Sequence, residues 1–252
     1  MNKKILLFCF IPFLLNAQSN LTGKEILQKL TAAAGGDLWQ QPESLQLSGN
    51  ATWTPFGKTD PSESIHFDTY KMYRLFPSQN LAAHAANGKI RFDAKYADSN
   101  YMQLIFDGQK TLNYLSEKAK PYQKYFSWSN NFGFGIIRFA DRDSFTVVRL
   151  ADDQIEGHPC YVVQITDPKK MVTTFNIDQK TFYIRGVHFI TDIGFHNRIY
   201  SDFEKLTPEK KSGGYFIQAR RIRLYFDGIK WMDINWTNNK VNSIILDEVF
   251  TK

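Results

Sequence analysis

From Ser44 almost to the C-terminus, apolar and polar residues alternate, and that period of two restricts the chain to a half-buried β-sheet. Leu45, Leu47, Gly49, Ala51 and Trp53 fall on one face of a first strand. Ile65, Phe67, Tyr73 and Leu75 then alternate with His66, Asp68, Met72 and Arg74, and Ile90, Phe92, Ala94 and Tyr96 alternate with Arg91, Asp93 and Lys95. Asn87-Gly88, Asp107-Gly108 and Asp227-Gly228 are hairpin signals, because Asn or Asp followed by Gly tolerates the positive φ that tight turns demand. The second half continues the theme. Strands are expected over Phe145 to Ala151, through Ile165 after a turn at Glu156-Gly157-His158-Pro159, and over Met171 to Ile177 before a turn at Asp178 to Thr181. Further strands follow at Phe182 to Thr191, Gly194 to Leu206, Tyr215 to Phe226 and Ile229 to Trp236. Roughly ten antiparallel strands exceed what a flat sheet sustains, so strong twisting or curling follows.

The first residues carry a different message. Lys3 and Lys4 precede the apolar run Ile5 to Leu15, which ends at Asn16-Ala17-Gln18. That run is shorter than the roughly 20 apolar residues a membrane span needs, Pro12 interrupts it, and Ala17 is the small residue a signal peptidase requires. Residues 1–17 therefore read as a secretory signal and 18–252 as one exported, periplasmic domain, since no low-complexity linker divides the strands. The 31 Lys and Arg stand against 25 Asp and Glu, and loss of Lys3 and Lys4 leaves a net charge of about +4 without single-sign runs. A nucleic-acid partner is not indicated, while weak attraction to anionic headgroups is compatible with that charge. Cys9 leaves with the signal, and its flanks Phe8 and Phe10 do not suit lipid attachment; Cys160 remains alone in an apolar strand pattern, so no intramolecular disulfide forms and it reads as a core residue.

One helix is clear. Thr22 with Glu25 three residues on makes a capping box, Ile26, Leu27, Leu30 and Ala34 form an apolar stripe, and Gly35-Gly36 ends it. A second segment, Phe126 to Asp141, breaks the β pattern with four phenylalanines, Trp128 and two glycines, Gly133 and Gly135. It suits a loop and short helix lying over a cavity, and equally suits ordinary core packing beneath the sheet. On the first reading, Trp53, Phe67 and Phe92 face the covered side and Trp128, Phe132, Phe134 and Ile137 belong to the cover of an apolar ligand pocket. An aromatic share of 15% supports such a pocket, although strands favour aromatics in any case.

Several blocks, in order, carry a family likeness: Ala34-Gly35-Gly36 with Leu38-Trp39 and Ser44 to Gly49, then Phe106-Asp107-Gly108-Gln109-Lys110, then Ile155-Glu156-Gly157-His158-Pro159-Cys160-Tyr161, then Phe175 to Asp178 with Thr181 to Ile184. From about Gly23 onward the chain resembles the LolA/LolB-like outer-membrane lipoprotein carrier superfamily. The resemblance implies a mainly β fold, a single strongly curved antiparallel sheet forming an open half-barrel with a few covering helices, whose apolar concave face receives a lipid or the acyl chains of a lipoprotein. Fold and ligand class are what the resemblance carries over, and the expectation is a non-catalytic, monomeric carrier or binding protein without cofactor or metal, in transient contact with envelope membranes or membrane proteins. The chain departs from the carriers in its greater length and in the lack of a lipid-attachment cysteine.

Three other functions compete. His158, His188 and His196, with Asp192 and Asp202 nearby, raise a hydrolase or metal site, but the spacing is poor and no His-Glu-x-x-His or Gly-x-Ser-x-Gly element occurs. An outer-membrane barrel is disfavoured by Arg220, Arg221 and Arg223, which put charge on both faces of one strand. An interaction or structural module of the envelope is the third. If the leader is read correctly, mature protein begins at Gln18 and is soluble without detergent; N-terminal mass analysis finding Met1 intact, or strict membrane partitioning, would contradict this.

Overall fold

The computed structural model describes residues 21–55, 58, 60–76, 88–97, 99–107, 111–113, 134–168, 170–191, 194–208 and 213–251; residues 1–17, read from sequence as a secretory signal, lie outside them. The fold begins with helix α1 (Gly23–Ala34), whose capping box forms as the sequence dictates: Thr22 Oγ1 accepts from the Glu25 backbone N–H, and the Glu25 carboxylate accepts from Thr22 N–H at 2.7 Å. Gly35 ends the helix at φ 132, where a Cβ would lie 1.9 Å from the Tyr215 carbonyl oxygen, so the chain turns there because only glycine fits. A short helix α2 (Asp37–Gln40) follows and buries Trp39.

Among the described residues, twelve strands form one antiparallel sheet. They are β1 (Ser44–Trp53), β2 (Ile65–Leu75), β3 (Lys89–Tyr96), β4 (Ser99–Phe106), β5 (Thr111–Asn113), β6 (Thr146–Ile155), β7 (His158–Thr166), β8 (Val172–Asp178), β9 (Ile184–Thr191), β10 (Gly194–Leu206), β11 (Phe216–Phe226) and β12 (Ile229–Val241). Their spatial order is β5-β4-β3-β2-β1-β12-β11-β10-β9-β8-β7-β6, so the sheet ends at β5 and β6 and does not close into a barrel. Helix α3 (Phe134–Ile137) lies in the connection between those two edge strands. The mainly β architecture and the antiparallel meander are those expected from the alternation.

One side of the sheet holds the core. Paired residues share a face, and the rows Leu45, Leu47 and Ala51 on β1, Val163 and Ile165 on β7, Phe175 and Ile177 on β8, and Ile234 and Trp236 on β12 are all buried. Helix α1 packs on β6 and β7, and Ile136, Ile137 and Ala140 of α3 and its following turn join the same cluster. The covering helices thus sit on the apolar face.

Bulges correct the sequence reading in one place. Phe67 pairs with Ala51 but Tyr70 pairs with Gly49, so an extra residue enters β2 and shifts its alternation. Met72 and Arg74 therefore share the covered face with Phe67, and Tyr73 and Leu75 turn away, the reverse of the uninterrupted pattern. The partner of this distortion is Gly49, where a Cβ would fall 1.8 Å from the Asn235 carbonyl oxygen. Strand β9 also starts later than alternation suggests, because Phe182 at φ 59 belongs to the preceding turn. The turns at Glu156-Gly157 and Asp227-Gly228 form with positive φ at both positions. Gly108 and Asn87, of the other two hairpin signals, lie outside the described residues.

Phe67 is 1% exposed, so Phe67→Asp should cost several kcal/mol by denaturant unfolding; a folded variant with an unchanged midpoint would mean that this face is not buried. A second prediction concerns pH. His196 stacks on Phe189 at 4.8 Å and meets the edge of Phe226 at 4.7 Å; burial, then the Arg198 charge, push its imidazole down to about 4 from an ordinary 6.5, with Asp227 opposing. Because the folded pKa is depressed, the associated stability is present above about pH 6.5 and is lost as pH falls through about 4. Melting temperature should decline over that window and His196→Phe should flatten part of the decline; the same slope in the variant would contradict the assignment.

Candidate functional site

The covered face of β1 to β4 and β12 carries a run of aromatic rings. Trp53 stacks on Phe67 with centroids 6.4 Å apart, Phe67 meets Tyr101 at 5.2 Å and Tyr70 at 6.3 Å, and Tyr70 stacks on both Phe92 at 5.8 Å and Trp236 at 5.4 Å. Register explains the assembly: these side chains come from five neighbouring strands, β12 and β1 to β4, whose pairing puts them on one face, so their rings meet at spacings where offset aromatic pairs attract. Phe67, Tyr70 and Trp236 are buried, whereas Trp53, Phe92 and Tyr101 are half-buried. The wall therefore has a fixed inner part and an accessible part.

Of the residues singled out from sequence, Trp53, Phe67 and Phe92 come together in this wall. Ile137 is 3% exposed at the end of α3 and packs with the same core cluster. Phe134 opens α3, and its side chain, like Trp128 and Phe132 as a whole, lies outside the described residues. Tyr70, Tyr101 and Trp236 were missed. Tyr70 is hidden from an alternation reading by the bulge before it, and Trp236 reads only as the end of a strand until β12 is paired with β1.

Polar groups share this face. After the bulge Arg74 points inward and lies 4.8 Å over the Phe76 ring. Arg138, in the turn after α3, is 3% exposed, and its guanidinium lies over Phe76 at 4.8 Å, Trp39 at 5.1 Å and Phe216 at 5.5 Å. Gln40 fixes that turn by donating to the Arg138 carbonyl oxygen at 3.1 Å and to Asp141 at 3.3 Å. Burial, then the neighbouring Arg198 charge, push Arg74 down to about 10, and burial followed by Arg74 holds Arg138 well below the ordinary arginine range. Sequence reasoning missed both.

Of the three candidate histidines, His196 shares the covered face, stacked on Phe189, while His188 and His158 lie elsewhere. His188 bonds Asn176 on the opposite face, and His158 stands 3.4 Å from Asp178, which also accepts from Arg185 at 3.0 Å. Asp192 is outside the described residues. Among the described residues no three His, Cys, Asp or Glu side chains are grouped to hold a metal ion, and no helix is long and apolar enough to cross a membrane. Cys160 is fully buried in β7, and burial pushes its thiol up to about 11, so the thiolate that reacts with oxidants or metals is scarce at neutral pH.

No family model and no curated protein matches the sequence. Solved structures do. A DUF1329 family protein from Desulfovibrio piger superposes with a TM-score of 0.53 at 10% identity, covering 90% of this chain and 95% of the other. An outer membrane lipoprotein-sorting protein domain from Vibrio parahaemolyticus also gives a TM-score of 0.53 at 10% identity, covering 91% of this chain and 96% of that one. The likeness is one of fold and runs through nearly the whole of each chain, and the fold implied by the sequence resemblance is the fold this chain has.

Proposed function

We propose that the chain is an exported, non-catalytic carrier or binding protein of the periplasm, whose ligand is a lipid or the acyl chains of a lipoprotein. The observation that carries this reading is the aromatic wall on the covered face of an open sheet, with Trp53, Phe92 and Tyr101 only half-buried at its accessible part. A hydrocarbon chain laid on such a surface gains about 0.8 kcal/mol per CH₂ removed from water, enough to be held without covalent chemistry. Likeness of fold to a lipoprotein-sorting protein domain supports the same class of ligand.

The cover completes the proposal. Segment 126–139 supplies the lid, with Trp128, Phe132 and Phe134 contributing apolar surface beside Ile137, and Gly133 and Gly135 easing its rearrangement. The protein works as a monomer, without cofactor or nucleic acid, and meets membranes or membrane proteins in passing when it loads and unloads.

Purified mature protein should carry copurifying lipid in native mass spectrometry. After delipidation, a long-chain acyl compound should raise its melting temperature and alter tryptophan emission, with a Trp128→Phe control to isolate the cover's signal. Trp53→Ala should weaken uptake by about tenfold, corresponding to 1.4 kcal/mol. No bound lipid, together with no ligand effect on melting or emission, would mean that side chains fill the hollow and that the reading is wrong.

A further inference from the structure

Along the covered face the aromatic wall gives way to positive charge. Arg74 enters from β2, paired with Leu45, while Arg198 enters from β10 on the other side of the sheet's midline, paired with Leu224 and Val187. Arg138 reaches in from the turn after α3. Arg74 and Arg138 lie over the same Phe76 ring, each at 4.8 Å, and Arg198 stands on the same face of the sheet, where its charge acts on Arg74. Arg198 also hydrogen-bonds the buried Tyr200, two residues on along the same face of β10, and its charge reaches the buried Tyr70.

The surroundings of Arg198 are suited to an acidic group. Its guanidinium lies 5.1 Å over the Phe189 ring, and its buried Nε–H makes no hydrogen bond within the protein. The buried indole N–H of Trp236, on the same face, is a second donor without a protein partner. Glu204, a carboxylate on β10, is engaged by the side-chain amide of Asn239 on β12. A planar guanidinium fork matches a carboxylate or a phosphate in geometry as well as charge.

We infer that the hollow takes an anionic amphiphile, its carboxylate or phosphate head turned inward between Arg74, Arg138 and Arg198 and its hydrocarbon lying along Trp53, Tyr101 and Phe92. This rests on the carrier reading and narrows it to acidic ligands. The arginines then discriminate between ligands, and the aromatic wall supplies affinity common to all hydrocarbon chains.

The test titrates delipidated full-length mature protein with hexadecanoate, with hexadecan-1-ol of the same chain length, and with acetate and inorganic phosphate as anions without a chain, by calorimetry. Hexadecanoate should bind at least about tenfold more tightly than the alcohol. Within the Arg198→Gln protein the acid-to-alcohol ratio of Kd should shrink to within about threefold of unity, and Arg74→Gln should shrink it independently. Equal binding of acid and alcohol by the wild type overturns the inference and leaves the carrier reading intact. Binding of neither overturns both, and binding of acetate or phosphate without either long chain overturns the amphiphile. Should a variant fail to fold, the wild-type comparison still decides.

Discussion

The antiparallel ladder between β1 and β12 is the pairing on which the rest of the molecule depends. Every other neighbouring pair in the sheet joins strands consecutive in sequence, so those hairpins form from local information. Among the described residues, only the register from Leu45 opposite Val241 to Trp53 opposite Met232 brings β1 beside β12 and makes one sheet of two meanders. Closing so long a loop is entropically costly and slow, which makes this ladder the step that converts hairpins into a fold. It is reinforced at its end, where the Asn242 side chain accepts from Glu43 N–H at 2.8 Å and Ser44 Oγ donates to the Ser243 carbonyl at 2.5 Å.

The same ladder assembles the candidate site. Trp236 of β12 reaches Tyr70 of β2 across the glycine of β1, because Gly49 has no side chain to intervene. The aromatic wall thus draws on the first four strands and on the last. The arginines obey a parallel logic: Arg74 and Arg198 stand on opposite sides of β1 and β12, and they share one face of one sheet only because those strands are joined. Affinity and selectivity are assigned to different residues. Rings supply surface that any hydrocarbon can use, while the proposed role of the guanidiniums is to favour ligands that bring a negative charge.

Much of this was legible in the sequence, and the failures have physical causes. Strict alternation gave the strand faces wherever the ladder is regular, so Phe67 and Phe92 were placed together correctly on the inner side. It failed beyond Asp68, since a bulge adds one residue and inverts every later side chain; Arg74, which reads as outward, is inward. Arg138 was illegible for another reason. Its burial depends on Trp39, Phe76 and Phe216, three rings far apart in sequence, and nothing local marks an arginine as destined for an aromatic enclosure. The capping box at Thr22 and Glu25 lies at the other extreme, a contact between residues three apart that sequence alone suffices to predict.

The central claim is that the covered face receives an acyl chain, and its most direct test is NMR of methionine and isoleucine methyl groups during titration with stearic acid carrying a nitroxide on its chain. Met72 and Met232 line the inner face, with Met102 half-buried beside them, whereas Ile190 is 72% exposed on the outer face. Broadening of the Met102 and Met232 signals at ligand concentrations that leave Ile190 sharp is the predicted result. Broadening confined to Ile190, or equal at all sites, would contradict the account.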